Sequence, residues 1–186
     1  MKTTIKHSKQ KRKTINFFSC SYNREHSRTD KLFGIVDQGK QAYTTTVNQK
    51  DWHASVENKS GRSLIFMPLD HNIVIHPTPD TTYSLCDGML YNNRSGGLLV
   101  FVELKVQDTG WIPKAIEQLK STIELFRASH NIKQFSPRIA YAANKKHPHF
   151  DHSHRERQQE FRKKHKFGLL IQNKIEIMLK RIIFMA

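Results

Sequence analysis

Residues 86–107 read CDGMLYNNRSGGLLVFVELKVQ, and the fold turns on how the two halves of this stretch meet. Leu98 to Val102 is a continuous apolar run of the kind that forms a strand buried on both faces. It ends in Glu103-Leu104-Lys105, a carboxylate and an ammonium one residue apart, where a strand leaving a core ordinarily meets turn residues. The first half reads as a second strand, and NNRSGG between them supplies the Asn and Gly that hairpin turns require. Side chains alternate across a strand, so Glu103 and Lys105 project to the face of Leu99 and Phe101, and Asp87 to that of Tyr83 and Leu85. Pairing residue 87 with residue 103 centres the turn at residue 95, inside NRSG. The spacing therefore predicts Asp87 beside Glu103 at the open end of a hairpin.

Two carboxylates so placed repel each other, and burial makes the repulsion costlier. A divalent cation relieves both costs. Oxygen donors favour a hard ion, Mg²⁺ or Mn²⁺, and the carbonyl of Leu104 extends the ligand set of Asp87 and Glu103. Lys105 beside such an ion orients or deprotonates an attacking water, or stabilises charge in the transition state. These are the parts that metal-assisted hydrolysis of a phosphodiester needs. The competing reading is an exposed cross-strand ion pair, worth under about 1 kcal/mol.

Upstream, WHASVENKSGRSLIFMPLD reads as another hairpin: Trp52, Ala54 and Val56 alternate, Asn58 to Gly61 turn, and Leu64 to Leu69 return. HNIVIHPTPD continues extended until its prolines break it. Downstream the period changes. Ile112, Ile116, Leu119, Ile123 and Phe126 repeat at intervals of four and three, an amphipathic helix with Pro113 tolerated in its first turn and Asn131 as a stop. FSPRIAYAAN and FGLLIQ read as further strands, and IEIMLKRIIFMA as a docking helix or partner-binding segment. Together these predict an α/β fold, a mixed sheet with one main covering helix.

The 186 residues suit one domain with tails, and the net charge of +15 attracts polyanions, nucleic acid first. Residues 1–29 read as a basic arm and 30–186 as the domain, with a basic, His-rich excursion over about 145–166. Lys145, Lys146, Arg155, Arg157, Arg162, Lys163 and Lys164 in that excursion are the candidate nucleic-acid contacts; Phe150 and Phe161 lie among them as candidate stacking rings, with Phe161 equally a candidate anchor of its helix to the core. His147, His149, Asp151, His152 and His154 match no familiar ligand frame, so phosphate or base contact is preferred there to a metal. Cys20 and Cys86 provide no disulfide framework, and no apolar window spans a membrane or leads a signal peptide. The expected location is the cytoplasm, with no membrane partner.

Asp87, the turn, Glu103-Leu104-Lys105 closing an apolar strand and the amphipathic helix after it resemble the PD-(D/E)XK nuclease superfamily, over about residues 50–145. Cys86 stands where that family has a proline, and Phe126 near where its RecB-like branch has a tyrosine. The resemblance implies a restriction-endonuclease-like fold, with a mixed central β-sheet flanked by helices. It also implies Mg²⁺-dependent (or Mn²⁺-dependent) hydrolysis through Asp87, Glu103 and Lys105, with DNA the usual substrate. Gln118 matches the glutamine of the RecB-like helix, and a further acid is left open between Glu57 and Asp70. Such enzymes often act as dimers or with partner proteins. The expected activity is a metal-dependent nuclease in defence, mobile-element processing or repair. The alternative is a non-catalytic nucleic-acid-binding protein or subunit on the same scaffold.

Overall fold

The computed structural model describes residues 15–73, 75, 84–92, 94, 96–146 and 155–177. Its centre is a five-stranded mixed sheet of β4 (Ile65–Pro68), β5 (Gly88–Tyr91), β6 (Gly97–Lys105), β7 (Phe135–Asn144) and β8 (Gly168–Ile171), in that order. β5 pairs antiparallel with both β4 and β6, and β6, β7 and β8 are parallel to one another. The parallel step from β6 to β7 is bridged by α1 (Trp111–Ser129), as a parallel crossover demands. Its stripe of Ala115, Ile116, Leu119, Ile123 and Phe126 lies on Leu99, Phe101, Ala140 and Ala142. α2 (Arg155–His165) packs beside α1 over β8, anchored by Phe161, so of the two readings of that ring the core anchor holds.

The opposite face is where the fold departs from a sheet flanked by helices. A second, four-stranded sheet covers it, in the order β2 (Tyr43–Thr45), β1 (Leu32–Val36), β3 (Ala54–Glu57), β9 (Lys174–Glu176). Phe33, Ile35, Ala54, Val56 and Ile175 from this sheet meet Leu98, Val100, Val102, Leu104, Ile139 and Tyr141 from the other. The molecule is therefore a mixed α/β fold of three layers, helices on sheet on sheet. β6 needs apolar residues on both faces because it is covered on both, which is why Leu98 to Val102 reads as an unbroken run.

The expected hairpin over residues 52–69 does not form. β3 buries one face only and pairs with β1 and β9, whereas β4 is buried on both faces and pairs with β5. Between them Asn58 holds the crossing, taking the N–H of Arg62 and donating to the carbonyls of Asp30 and Arg62. Residues 70–73 turn instead of continuing extended, and most of the rest of that stretch lies outside the described residues.

The chain ends correct two further expectations. Ile15 and Phe17 are buried, and Phe17 meets Phe126 edge-on at 5.1 Å, so the domain extends back from residue 30 to at least Ile15. Residues 174–177 are strand and buried alternation rather than the start of a helix, since Ile175 and Ile177 close the space between the sheets. Residues 178–186 lie outside the described ones, as do His147, His149, Phe150, Asp151, His152 and His154. Among the described residues no helix is long and apolar enough to cross a membrane.

Candidate active site

The register of β5 on β6 sets Gly88 opposite Val102, so the next pair outward is Asp87 and Glu103, as the turn arithmetic predicts. Both stand at the end of the sheet where β6 and β7 terminate, the carboxyl ends of parallel strands where open α/β sheets place ligands. Leu104 donates its backbone N–H to Asp87 Oδ2 at 2.5 Å, which ties the carboxylate to the strand carrying Glu103. A strand residue's N–H and C=O point to the same side, so the Leu104 carbonyl also faces the β5 side. Cys86 and Thr122 brace Asp87 from behind: the Cys86 N–H donates to Thr122 Oγ1 at 2.8 Å, and that hydroxyl donates to the Gln118 carbonyl at 2.9 Å.

Glu103 is fully buried under α1. Its Oε1 accepts from Lys105 Nζ, and the same ammonium donates to Gln118 Oε1 at 2.9 Å. The exposed ion pair considered for these residues is thus excluded: Glu103 is 0% exposed and Lys105 only 14%. Glu103 Oε2 is buried with no hydrogen-bond partner. An unsatisfied buried carboxylate oxygen costs free energy unless something else binds it.

The electrostatics follow from this placement. Burial, then the charge of Asp87, pushes the Glu103 carboxyl up to about 8 despite the attraction of Lys105. Burial pushes Asp87 up to about 6, against the pull of the Leu104 N–H and Lys105. Asp70 acts on both carboxyls and Asp37 on Asp87, each raising them further. Of the two acids left open by the sequence, Asp70 is the one in electrostatic reach. Glu57 lies in the outer sheet, paired to Lys174 at 2.7 Å and Lys59 at 3.4 Å.

An all-oxygen pair with one orphaned oxygen, beside a strand carbonyl, fits Mg²⁺, which is held by one or two carboxylates and keeps several waters. Among the described residues, no three His, Cys, Asp or Glu side chains gather as a closed metal cage. Asp87, Glu103 and Leu104 are the residues that can hold the ion.

The expected nucleic-acid contacts divide. Lys145 joins the site end directly, its N–H donating to the Lys105 carbonyl at 2.9 Å. Lys146 is turned to Asp108, with Nζ 2.9 Å from its carboxylate. A small cleft of about 160 Å³ lined by Pro113, Glu117, Arg157 and Lys164 sets α2 alongside α1. The two helices run in the same direction, since Arg127 reaches the Lys164 carbonyl at 3.5 Å. Arg155 and Arg157 therefore lie toward the site end, and Arg162, Lys163 and Lys164 lie farther along. Sequence reasoning missed Thr122 and Asp37. A lone threonine on the apolar face of α1 was the available signal for the first, and nothing local marked the second. Compared with known proteins, the chain matches no family model, no curated protein and no solved structure.

Proposed function

We infer that the protein is a metal-dependent nuclease that hydrolyses phosphodiester bonds of nucleic acid, with DNA the expected substrate. The observation carrying this reading is the convergence of Asp87, Glu103, Lys105 and Gln118 at one strand end, with a buried Glu103 oxygen left unpartnered. A bound Mg²⁺ or Mn²⁺ supplies Lewis-acid polarisation of the phosphoryl group and a more acidic water. Asp87 and Glu103 provide the negative charge that retains such an ion. Lys105, steered by Gln118, holds its ammonium where it can orient the attacking water or offset charge on the non-bridging oxygens. Lys145 is bonded through its backbone to the Lys105 carbonyl at the same strand end, and the net charge of +15 favours approach of a polyanion.

The test is incubation with linear, circular and single-stranded DNA, and with RNA, in Mg²⁺, Mn²⁺ or EDTA. Cutting that needs the metal and disappears in Glu103→Ala supports the reading. Cutting that survives both Glu103→Ala and Lys105→Ala overturns it. Salt-sensitive binding indifferent to EDTA, with no cutting of any substrate, favours the non-catalytic binding protein instead.

A further inference from the structure

A cleft of about 890 Å³ adjoins the acidic pair, lined in part by Arg24, Lys40, Gln41, Tyr43, Pro68 and His71. Three links join it to the site. Pro68 pairs opposite Gly88, the neighbour of Asp87. The Leu69 N–H donates to the Asp87 carbonyl at 2.9 Å. His71 follows Asp70, whose charge reaches both site carboxyls.

The cleft is held open by polar ties between segments distant in sequence. Gln41 Nε2 donates to the His71 carbonyl at 2.9 Å. Asn72 takes the Asn23 N–H at 3.0 Å and returns a bond to the Asn23 carbonyl at 2.8 Å. Lys40 is presented by a turn in which Asp37 Oδ1 takes the Gly39 N–H at 2.9 Å and Gly39 adopts φ 82°, a conformation that favours glycine. The lining holds one carboxylate, Glu25, which is committed to β2 through the N–H and hydroxyl of Thr44. Arg24 and Lys40 are exposed and make no ion pair among the described residues. Tyr43 is 37% exposed beside them.

Cations without carboxylate partners, amide groups, a His71 imidazole 3.4 Å from Asp70 and a partly exposed aromatic ring are groups that a sugar-phosphate chain with unstacked bases can use. The volume lies within the range of small-ligand clefts, about 300–1,000 Å³, which suits a short piece of one strand and not a duplex. We propose that this cleft is the track for a single nucleic-acid strand next to the scissile phosphate, with Arg24 and Lys40 on phosphates and Tyr43 under a base. The proposal rests on the hydrolytic reading only for what lies next door; strand binding itself needs neither metal nor cutting.

The experiment is fluorescence-anisotropy binding of a labelled single-stranded oligonucleotide to the full chain in EDTA, where no hydrolysis occurs. Arg24→Ala with Lys40→Ala is expected to weaken binding at least tenfold and to flatten the salt dependence by about 0.7 in logarithmic slope per lost phosphate contact. Tyr43→Ala is expected to weaken it about fivefold or more, with Tyr43→Phe restoring it. Duplex of the same sequence should compete at least tenfold less well. Wild-type affinity in the double variant overturns the proposal, as does equal competition by duplex. Equal competition by a polyglutamate peptide, with Tyr43→Ala silent, also overturns it and points to an acidic protein partner. Failure of the adjoining catalytic reading looks different: cleft-dependent binding persists while no metal supports cutting.

Discussion

Asp87 is bonded to the residue that follows its cross-strand neighbour Glu103: its Oδ2 takes the Leu104 N–H at 2.5 Å. That single bond sets the character of the site. It holds one carboxylate rigidly against the strand, while Glu103 on the same strand passes under α1 and shares Lys105 with Gln118. The helix thereby controls the ammonium and the sheet controls the acids. An insult to α1 should disturb the lysine before it disturbs the acidic pair.

Gln118→Ala removes the oxygen that steers Lys105 Nζ and leaves both acids in place. On the proposed nuclease reading, cutting is expected to fall about tenfold, against about 10²–10³-fold for Lys105→Ala, whose charge would act on the transition state itself. Because the amide positions rather than reacts, kcat should drop with KM nearly constant, and thermal stability should stay close to wild type. Steady-state kinetics on a fluorogenic oligonucleotide separates these outcomes. A Gln118→Ala enzyme as inactive as Lys105→Ala would assign the amide a direct role.

Phe17 is fully buried, packs edge-on to Phe126 and donates its N–H to His130 Nε2 at 3.0 Å. Truncating such a residue costs its transfer free energy and leaves a cavity. Phe17→Ala should lose about 3–5 kcal/mol of unfolding free energy, read from a urea titration, whereas a true solvated arm would lose nothing.

These two residues also mark where the sequence was and was not readable. The Asp87–Glu103 pairing was legible because alternation, a Gly/Asn turn and a both-faces-buried run all bear on one hairpin, and each signal is local. Gln118 was reached through resemblance and its helix through a period of four and three. Phe17 was hidden because its neighbours are basic, and one aromatic pair carries no period. The second sheet was hidden for a different reason. A strand, an Asn-Gly turn and a strand look alike whether the two strands pair or cross between layers; the clue was that Ile65 to Leu69 is apolar on both faces and Ala54 to Glu57 on one. The final strand was masked by the apolar residues that follow it, which together resemble a helix more than three residues of edge.

Cys86 is buried beneath Thr122, and burial raises its thiol well above the ordinary value of 9.0. Cys20 is exposed. Reactivity requires the thiolate and access to it. A disulfide reagent should therefore titrate one thiol rapidly in the native protein and two in denaturant, and Cys20→Ser should abolish the fast phase. Two fast thiols in the native protein would mean that the segment carrying Asp87 opens readily.

The raised acids give the metal-free protein a defined pH response. Glu103 moves from 4.5 to about 8 and Asp87 from 3.8 to about 6 on folding. Between each pair of values the folded chain holds a proton that the unfolded chain has lost, so this contribution is fully present below pH 4 and is lost as pH rises through 6 and then 8. Urea midpoints at pH 5, 6.5 and 8 should show Glu103→Gln gaining on wild type as pH rises. A difference that is constant with pH would mean that Glu103 ionises near its ordinary value.

A divalent cation held as proposed would reverse that penalty, because it would bind the charged form of both carboxyls and displace their protons. Apparent affinity for Mn²⁺ should therefore climb from pH 6 to pH 8, as the protons to be displaced become fewer. At fixed Mn²⁺, the rise in Tm over an EDTA control should be larger at pH 8 than at pH 6, following the linkage of ligand concentration to stability. Glu103→Gln should abolish the rise at both values, and Glu57→Gln should leave it intact, since Glu57 is paired to Lys174 in the other sheet. A cation shift that is the same at both pH values, or that survives Glu103→Gln, would place the bound ion somewhere other than between Asp87 and Glu103.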